Sequence, residues 1–300
     1  MEPESFENVY LRTLFYGDSG SGKTRLLGTA MLCEDTCPML ILNARGQPIS
    51  LRFLKDRPLV MTIRKMEDFN SAFAWITNNQ PLPKLLSSYY DVDDSVWTVE
   101  GTNIANTVNE LPNPFNYIYE YLIQRGDSRF KTLGIDSITQ VQRIANDIVV
   151  ENVDTYVPNT IPNKRTYPHY QKLLDMLMKF ADEHYMLPCH VLMTALCRHS
   201  EMPGDDITRY YPFLLGQGAH EVPSYAELVG RLVNVRSLTT QITKAVTDNF
   251  VPTYRGEQPF NVLYTQGSRN FVAKWQGPEG PPAVVINPTI KKLLDVIKAG

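Results

Sequence analysis

The chain has 300 residues, 43% hydrophobic and 20% charged, with a formal net charge of -3. That length can bury a substantial core without disulfides or structural metals, and the composition excludes disordered, fibrous and membrane-embedded classes. The slight negative charge supplies no bulk attraction for nucleic acid, so any polyanion site must be a local patch.

The first predicted strand is Tyr10 to Tyr16, a run of aromatic and β-branched-compatible residues that ends directly on Gly17. A helix is predicted over Thr24 to Leu32, so the order is strand, glycine-rich loop, helix. Met39 to Leu42 and Leu59 to Ile63 read as further strands, and Met66, Phe69, Phe73 and Ile76 recur at helical spacing. From about 80 to 127 the pattern is broken by prolines at 81, 83, 112 and 114, which predicts an insertion. Thr132 to Asp136 is the next strand, followed by a helix marked by Val141, Ile144, Ala145 and Ile148. A polar loop over Thr155 to Pro168 leads into a helix with the stripe Tyr170, Leu173, Leu174, Leu177, Met178 and Ala181.

Cys189 to Ala195 reads as a continuous buried strand, and the polar stretch from Cys197 to Ser224 as a long loop. Leu228 to Leu238 resumes strand character. Asn261 to Thr265 and Asn270 to Trp275 flank Gln266-Gly267-Ser268-Arg269, which predicts a hairpin with Arg269 at its tip. Asn287 as N-cap and Pro288 at the first helical position open a closing helix with apolar Ile290, Leu293, Leu294 and Ile297. Strands alternating with helices predict a mainly parallel α/β sheet with a late antiparallel hairpin, forming one domain over 1–300.

The four cysteines, Cys33, Cys37, Cys189 and Cys197, are too few and too unevenly spaced for a secreted disulfide framework and fit reduced thiols. A zinc set of Cys189, Cys197, His190 and His199 competes with the buried-strand reading of the same run. The first nine residues lack the basic region and apolar stretch of a secretory signal, and no apolar run approaches ~18 residues. A cytoplasmic protein with no membrane span is expected.

Gly17-Asp18-Ser19-Gly20-Ser21-Gly22-Lys23-Thr24 fits G-x-x-x-x-G-K-[ST], the P-loop pattern. Its glycines let successive backbone N–H groups point at phosphate oxygens, and the following helix N-terminus adds a fixed partial positive charge. Lys23 is expected to reach the β- and γ-phosphates and the Thr24 hydroxyl to take one magnesium position. Asp136, ending an apolar strand, reads as the carboxylate that holds the metal or orients an attacking water, or as an ordinary strand-ending turn residue. Thr194 either touches the γ-phosphate or its water, or is a threonine favoured in a strand for its β-branching.

With that loop, the strand end Ile135-Asp136-Ser137-Ile138-Thr139 and the run His190-Val191-Leu192-Met193-Thr194-Ala195, the chain resembles phage RecA-like ATPases. These are small AAA-type proteins associated with single-strand annealing and recombination, and the likeness runs from about Thr13 to Ile297. It implies a RecA-like P-loop NTPase core, magnesium and ATP, a homo-oligomeric ring or filament, and single-stranded DNA as partner in recombination, annealing or replication. Arg269 then either completes a neighbour's ATP site or is a solvated turn residue. Where the family carries a water-activating glutamate after its second strand, this chain reads Leu42-Asn43-Ala44-Arg45-Gly46, so Arg45 replaces it and hydrolysis is expected to be slow or recruited elsewhere. Lys164, Arg165 and Tyr167 in one loop, and Arg198 and Arg209 in the other, are the DNA-contact candidates. The alternative is a nucleotide-gated assembly or structural protein that binds ATP without DNA. No base-reading motif stands out.

Overall fold

Three of the apolar runs become strands that are buried along nearly their whole length, because helices cover both faces of the sheet they build. The computed structural model describes residues 10–44, 48–64, 121–127, 129–151, 167–201, 208–235, 260–276 and 281–299. In chain order the strands are β1 Arg12–Gly17, β2 Met39–Asn43, β3 Leu59–Thr62, β4 Thr132–Asp136, β5 His190–Glu201, β6 Thr208–Pro212, β7 Leu228–Val235, β8 Phe260–Tyr264, β9 Lys274–Trp275 and β10 Val284–Ile286. The helices are α1 Lys23–Gly28, α2 Ile138–Glu151, α3 Tyr167–Tyr185, α4 Gly218–Tyr225 and α5 Ile290–Ala299.

The sheet order is β10-β8-β7-β1-β5-β4-β2-β3, with β6 on β5 and β9 on β7. All pairings from β7 through β1, β5, β4 and β2 to β3 are parallel, and β8, β9 and β10 add an antiparallel margin. Alternation along β1 shows how the two cores form. Leu14 and Tyr16 face α2 and α3 through Val141, Ala145, Leu173 and Leu177. Phe15 points the other way, toward Leu26 and Leu27 of α1 and Ile290 and Leu293 of α5. The result is three layers, helix on sheet on helix, with the C-terminal ends of β1, β4 and β5 at one edge. Among the described residues no helix is long and apolar enough to cross a membrane.

Four expectations are corrected. The first helix stops at Gly28, and Thr29–Leu32 tightens into a 3-10 turn. The polar stretch after Cys197 is not a loop at its start: β5 runs on to Glu201 and pairs with β6, Arg198 opposite Tyr211 and His199 opposite Tyr210. Its Gly218–Tyr225 portion is helix α4. Polar residues mixed with Tyr210 and Tyr211 leave no regular hydropathy alternation to read. The late hairpin does not form, because β8 and β9 both pair with β7, while Ser268 and Phe271 close a compact turn that holds Arg269 exposed. The closing helix is capped by Thr289, whose Oγ1 accepts the Lys292 N–H at 3.2 Å, and Asn287 stands outside it with φ 46°. The helix expected between Met66 and Ile76, most of the 80–127 insertion, the polar loop with Lys164 and Arg165, and Arg45 lie outside the described residues.

His184 of α3 is buried with its Nδ1 2.6 Å from the Phe180 carbonyl, and burial pulls its pKa down to about 4. The unfolded chain, with the ordinary value near 6.5, takes up a proton first as pH falls. Stability is therefore full above pH ~6.5 and declines toward pH ~4, where this one group accounts for roughly 3 kcal/mol. Burial of His190 acts in the same direction. Denaturant midpoints measured from pH 7 to 4.5 should fall for the native chain and fall less steeply for His184→Phe.

Candidate functional site

The site is built where β1 gives out. Gly17 ends the strand against the Leu232 carbonyl of β7, and a β-carbon there would come within 2.2 Å of that oxygen. Gly22 adopts φ 91°, a conformation that side chains other than glycine rarely tolerate, and delivers the chain into α1. Lys23 follows with only 8% of its surface exposed. Its ammonium donates to the Gly17 and Asp18 carbonyls at 2.8 and 2.7 Å and to Ser21 Oγ at 3.2 Å, so the cation sits inside the curl of the loop.

The strand inserted between β1 and β4 determines the rest. β5 carries Thr194 opposite Phe15 of β1, and Met193 opposite Ile135 of β4, which brings Thr194 beside Asp136. Thr194 Oγ1 donates to Asp136 Oδ1 at 2.6 Å, and Thr24 Oγ1 of α1 donates to Asp136 Oδ2 at 2.5 Å. Hydrogen bonds to a carboxylate are about twice as strong as neutral ones, so this clamp joins the loop to both strands. Behind it, Thr139 Oγ1 of α2 accepts the Leu196 N–H at 2.9 Å and anchors the point where β5 leaves the sheet. The Asp136–Ser137 peptide is cis.

A cleft of about 270 Å³ opens over these groups, lined by Gly20, Gly22, Lys23, Thr24, Asp136 and Ser137 among others. The chain suits a magnesium nucleotide there. The loop lies open over α1, a hydroxyl and a carboxylate converge, and Ser137 Oγ is buried with no hydrogen-bond partner among the described residues. Ser50, from the 3-10 turn Ile49–Leu51, and Leu196 also line the cleft, and sequence reasoning named neither. Ser50 carried no signal, whereas Ser137 was visible as the neighbour of Asp136. Asn43, at the end of β2, is buried and in register with Asp136. The thiol of Cys197, just beyond Leu196, has its pKa pushed up to about 11 by burial and by the Asp18 charge, which disfavours the thiolate.

The structure thus unites Gly17 to Thr24, Asp136 and Thr194, and it separates Arg269, which does not line the cleft. Arg198 and Arg209 lie on the β5–β6 ribbon, and Tyr167 opens α3. A second cation, Arg231 of β7, was not anticipated. Its guanidinium lies 3.6 Å from the Tyr210 ring centre and 5.5 Å from that of Phe271. Arg198 stands 5.9 Å from the Tyr211 ring and 6.0 Å from Phe213. Beneath them Tyr16 Oη donates to the carbonyls of Val272 and Tyr210 at 2.6 and 3.2 Å, which ties this cluster to the strand that feeds the loop.

Thr194→Val keeps the β-branched shape and removes one donor to Asp136. It should cost about 2 kcal/mol in a denaturant titration. Nucleotide affinity measured with magnesium should fall more than affinity measured in chelator.

A family model described as an AAA domain matches residues 10–275. No curated protein matches the sequence. Among solved structures, one described as a prototypical ATPase from the type III secretion system of pathogenic bacteria is 17% identical with a TM-score of 0.34, over 78% of this chain and 53% of that one. The chain spans about half the length of that ATPase. With the family model covering most of the sequence and the phosphate loop, clamp and mainly parallel sheet all in place, the chain belongs to the AAA domain family of P-loop ATPases.

Proposed function

We propose that this chain binds ATP with magnesium and uses it to engage single-stranded DNA, as a homo-oligomer in recombination, annealing or replication of the phage type. The observation that carries the nucleotide half is the Asp136 carboxylate held between Thr24 and Thr194 at the mouth of the loop. Lys23 balances β- and γ-phosphate charge, Thr24 and Asp136 would hold the magnesium ion, and Ser137 offers a hydroxyl beside them. When bound, that ion neutralises phosphate charge. Asp136 is engaged by two hydroxyls, and Arg45 stands where a water-activating glutamate is expected, so turnover is slow and nucleotide occupancy matters more than flux.

The DNA half is supported by the β5–β6 ribbon and its flank. Arg198 and Arg231 lie against aromatic rings, and Arg209 is exposed on the same ribbon. Flat cations and ring faces side by side suit bases stacked from a single strand, with the arginines also meeting backbone phosphates. This cluster is the local basic patch that a chain of net charge -3 requires.

The test is retention of a labelled single-stranded oligonucleotide at low salt with ATP, ADP and no nucleotide. Retention should need ATP and be lost in Lys23→Ala. Arg198→Ala should weaken it and lower the dependence of log affinity on log salt by about 0.7 for each phosphate contact removed. No retention in any nucleotide state would leave the reading as a nucleotide-gated assembly protein, in which case the oligomer size, measured by light scattering, should still change between ATP and ADP.

A further inference from the structure

On the side of the loop away from Asp136 stands a cluster of three asparagines that the phosphate chemistry does not use. In the sheet order Asp136 is two strands from β1 in one direction, across β5 on β4, and Asn261 is two strands from β1 in the other, across β7 on β8. The Asn261 carboxamide packs against Gly22, and a β-carbon on that glycine would lie 2.7 Å from Nδ2. Asn234, opposite Asn261 in the β7–β8 register, donates through Nδ2 to Asn261 Oδ1 at 2.9 Å. Asn287 takes the other flank: its N–H donates to the Asn261 carbonyl at 2.7 Å, and its Oδ1 accepts the Asn261 N–H at 3.2 Å.

Asn287 holds φ 46°, a left-handed conformation that asparagine enters more readily than most residues with a side chain. Asn234 and Asn287 are exposed and Asn261 is half-buried, so the cluster faces solvent beside the cleft wall formed by Gly22. The bond between the two carboxamides leaves Asn261 Nδ2 and Asn234 Oδ1 without partners among the described residues. The bonded pair of carboxamides thus retains one donor and one acceptor. Reversing both amide assignments leaves the same complement, one donor and one acceptor.

We infer that Asn234 and Asn261 read the base of the nucleotide and select adenine over guanine. The inference rests on the phosphate reading of the loop. Thr24 and Asp136 mark the metal and terminal-phosphate end, so the nucleoside leaves the loop in the opposite direction, past Gly22. Adenine offers N7 as acceptor and its N6 amino group as donor, which complements the free pair. Guanine offers N7 and O6, both acceptors, and sets O6 against an amide oxygen. Asn287 is a positioning residue that holds the Asn261 backbone from both its N–H and its carbonyl.

The experiment is titration of the full chain, with magnesium, by ATP, GTP and inorganic tripolyphosphate. The native chain should prefer ATP over GTP by roughly tenfold or more, the worth of one bidentate base contact. Asn261→Leu should bring that ratio close to one and reduce the advantage of ATP over tripolyphosphate. Asn234→Ala, at an exposed position where folding is not at stake, should do the same in part. A native ratio near one, or a ratio preserved in both variants, overturns the inference while tripolyphosphate binding upholds the phosphate loop. Loss of tripolyphosphate binding in the native chain overturns both.

Discussion

The arrangement depends on one carboxylate. Asp136 accepts a hydrogen bond on each oxygen, from Thr24 and from Thr194, and thereby joins the first turn of α1 to β4 and β5. None of these residues is near another in sequence, and only the insertion of β5 between β1 and β4 makes the three meet. The Lys23 ammonium, folded onto the loop carbonyls, brings the opposite charge to the same cleft.

The middles of the strands make the core, and the polar side chains gather at their ends and overhangs. β1, β2 and β4 are apolar and buried, with helices on both faces. The polar chemistry collects where strands end or run past their neighbours: Asp136 at the end of β4, Arg198 on the overhang of β5, and Asn234 and Asn261 beyond the reach of β1. Loops and strand ends placed by a rigid scaffold are the usual carriers of function, since the scaffold itself has little polar surface to offer.

What could be read from the sequence follows from the same division. The continuous apolar runs showed β1, β2 and β4 within a residue or two, and the alternating stripe of α3 was legible from Leu173 to Ala181, because burial leaves a periodic imprint. The phosphate loop was legible because few chemistries need that spacing. Thr194 was visible as a residue, while its bond to Asp136 was not, since register across β5 is a property of pairing. The β5–β6 ribbon was missed because polar and aromatic residues mix on it without a regular two-residue alternation. The asparagine cluster left no trace, with its members separated by long stretches of chain and joined only through the antiparallel margin. The hairpin around Arg269 was expected from local turn residues, but β8 and β9 both pair with β7 instead, a choice of partner that local turn residues do not encode.

β5 carries a further consequence through its continuity. The same unbroken strand holds Thr194 at the clamp and Arg198 on the aromatic ribbon, four residues further on and on the same face of the pleat. A single-residue insertion or deletion upstream in β5 would turn both to the opposite face together. The two surfaces therefore share one phase, and a change in the length of β5 upstream of both keeps them facing as they do only in even steps.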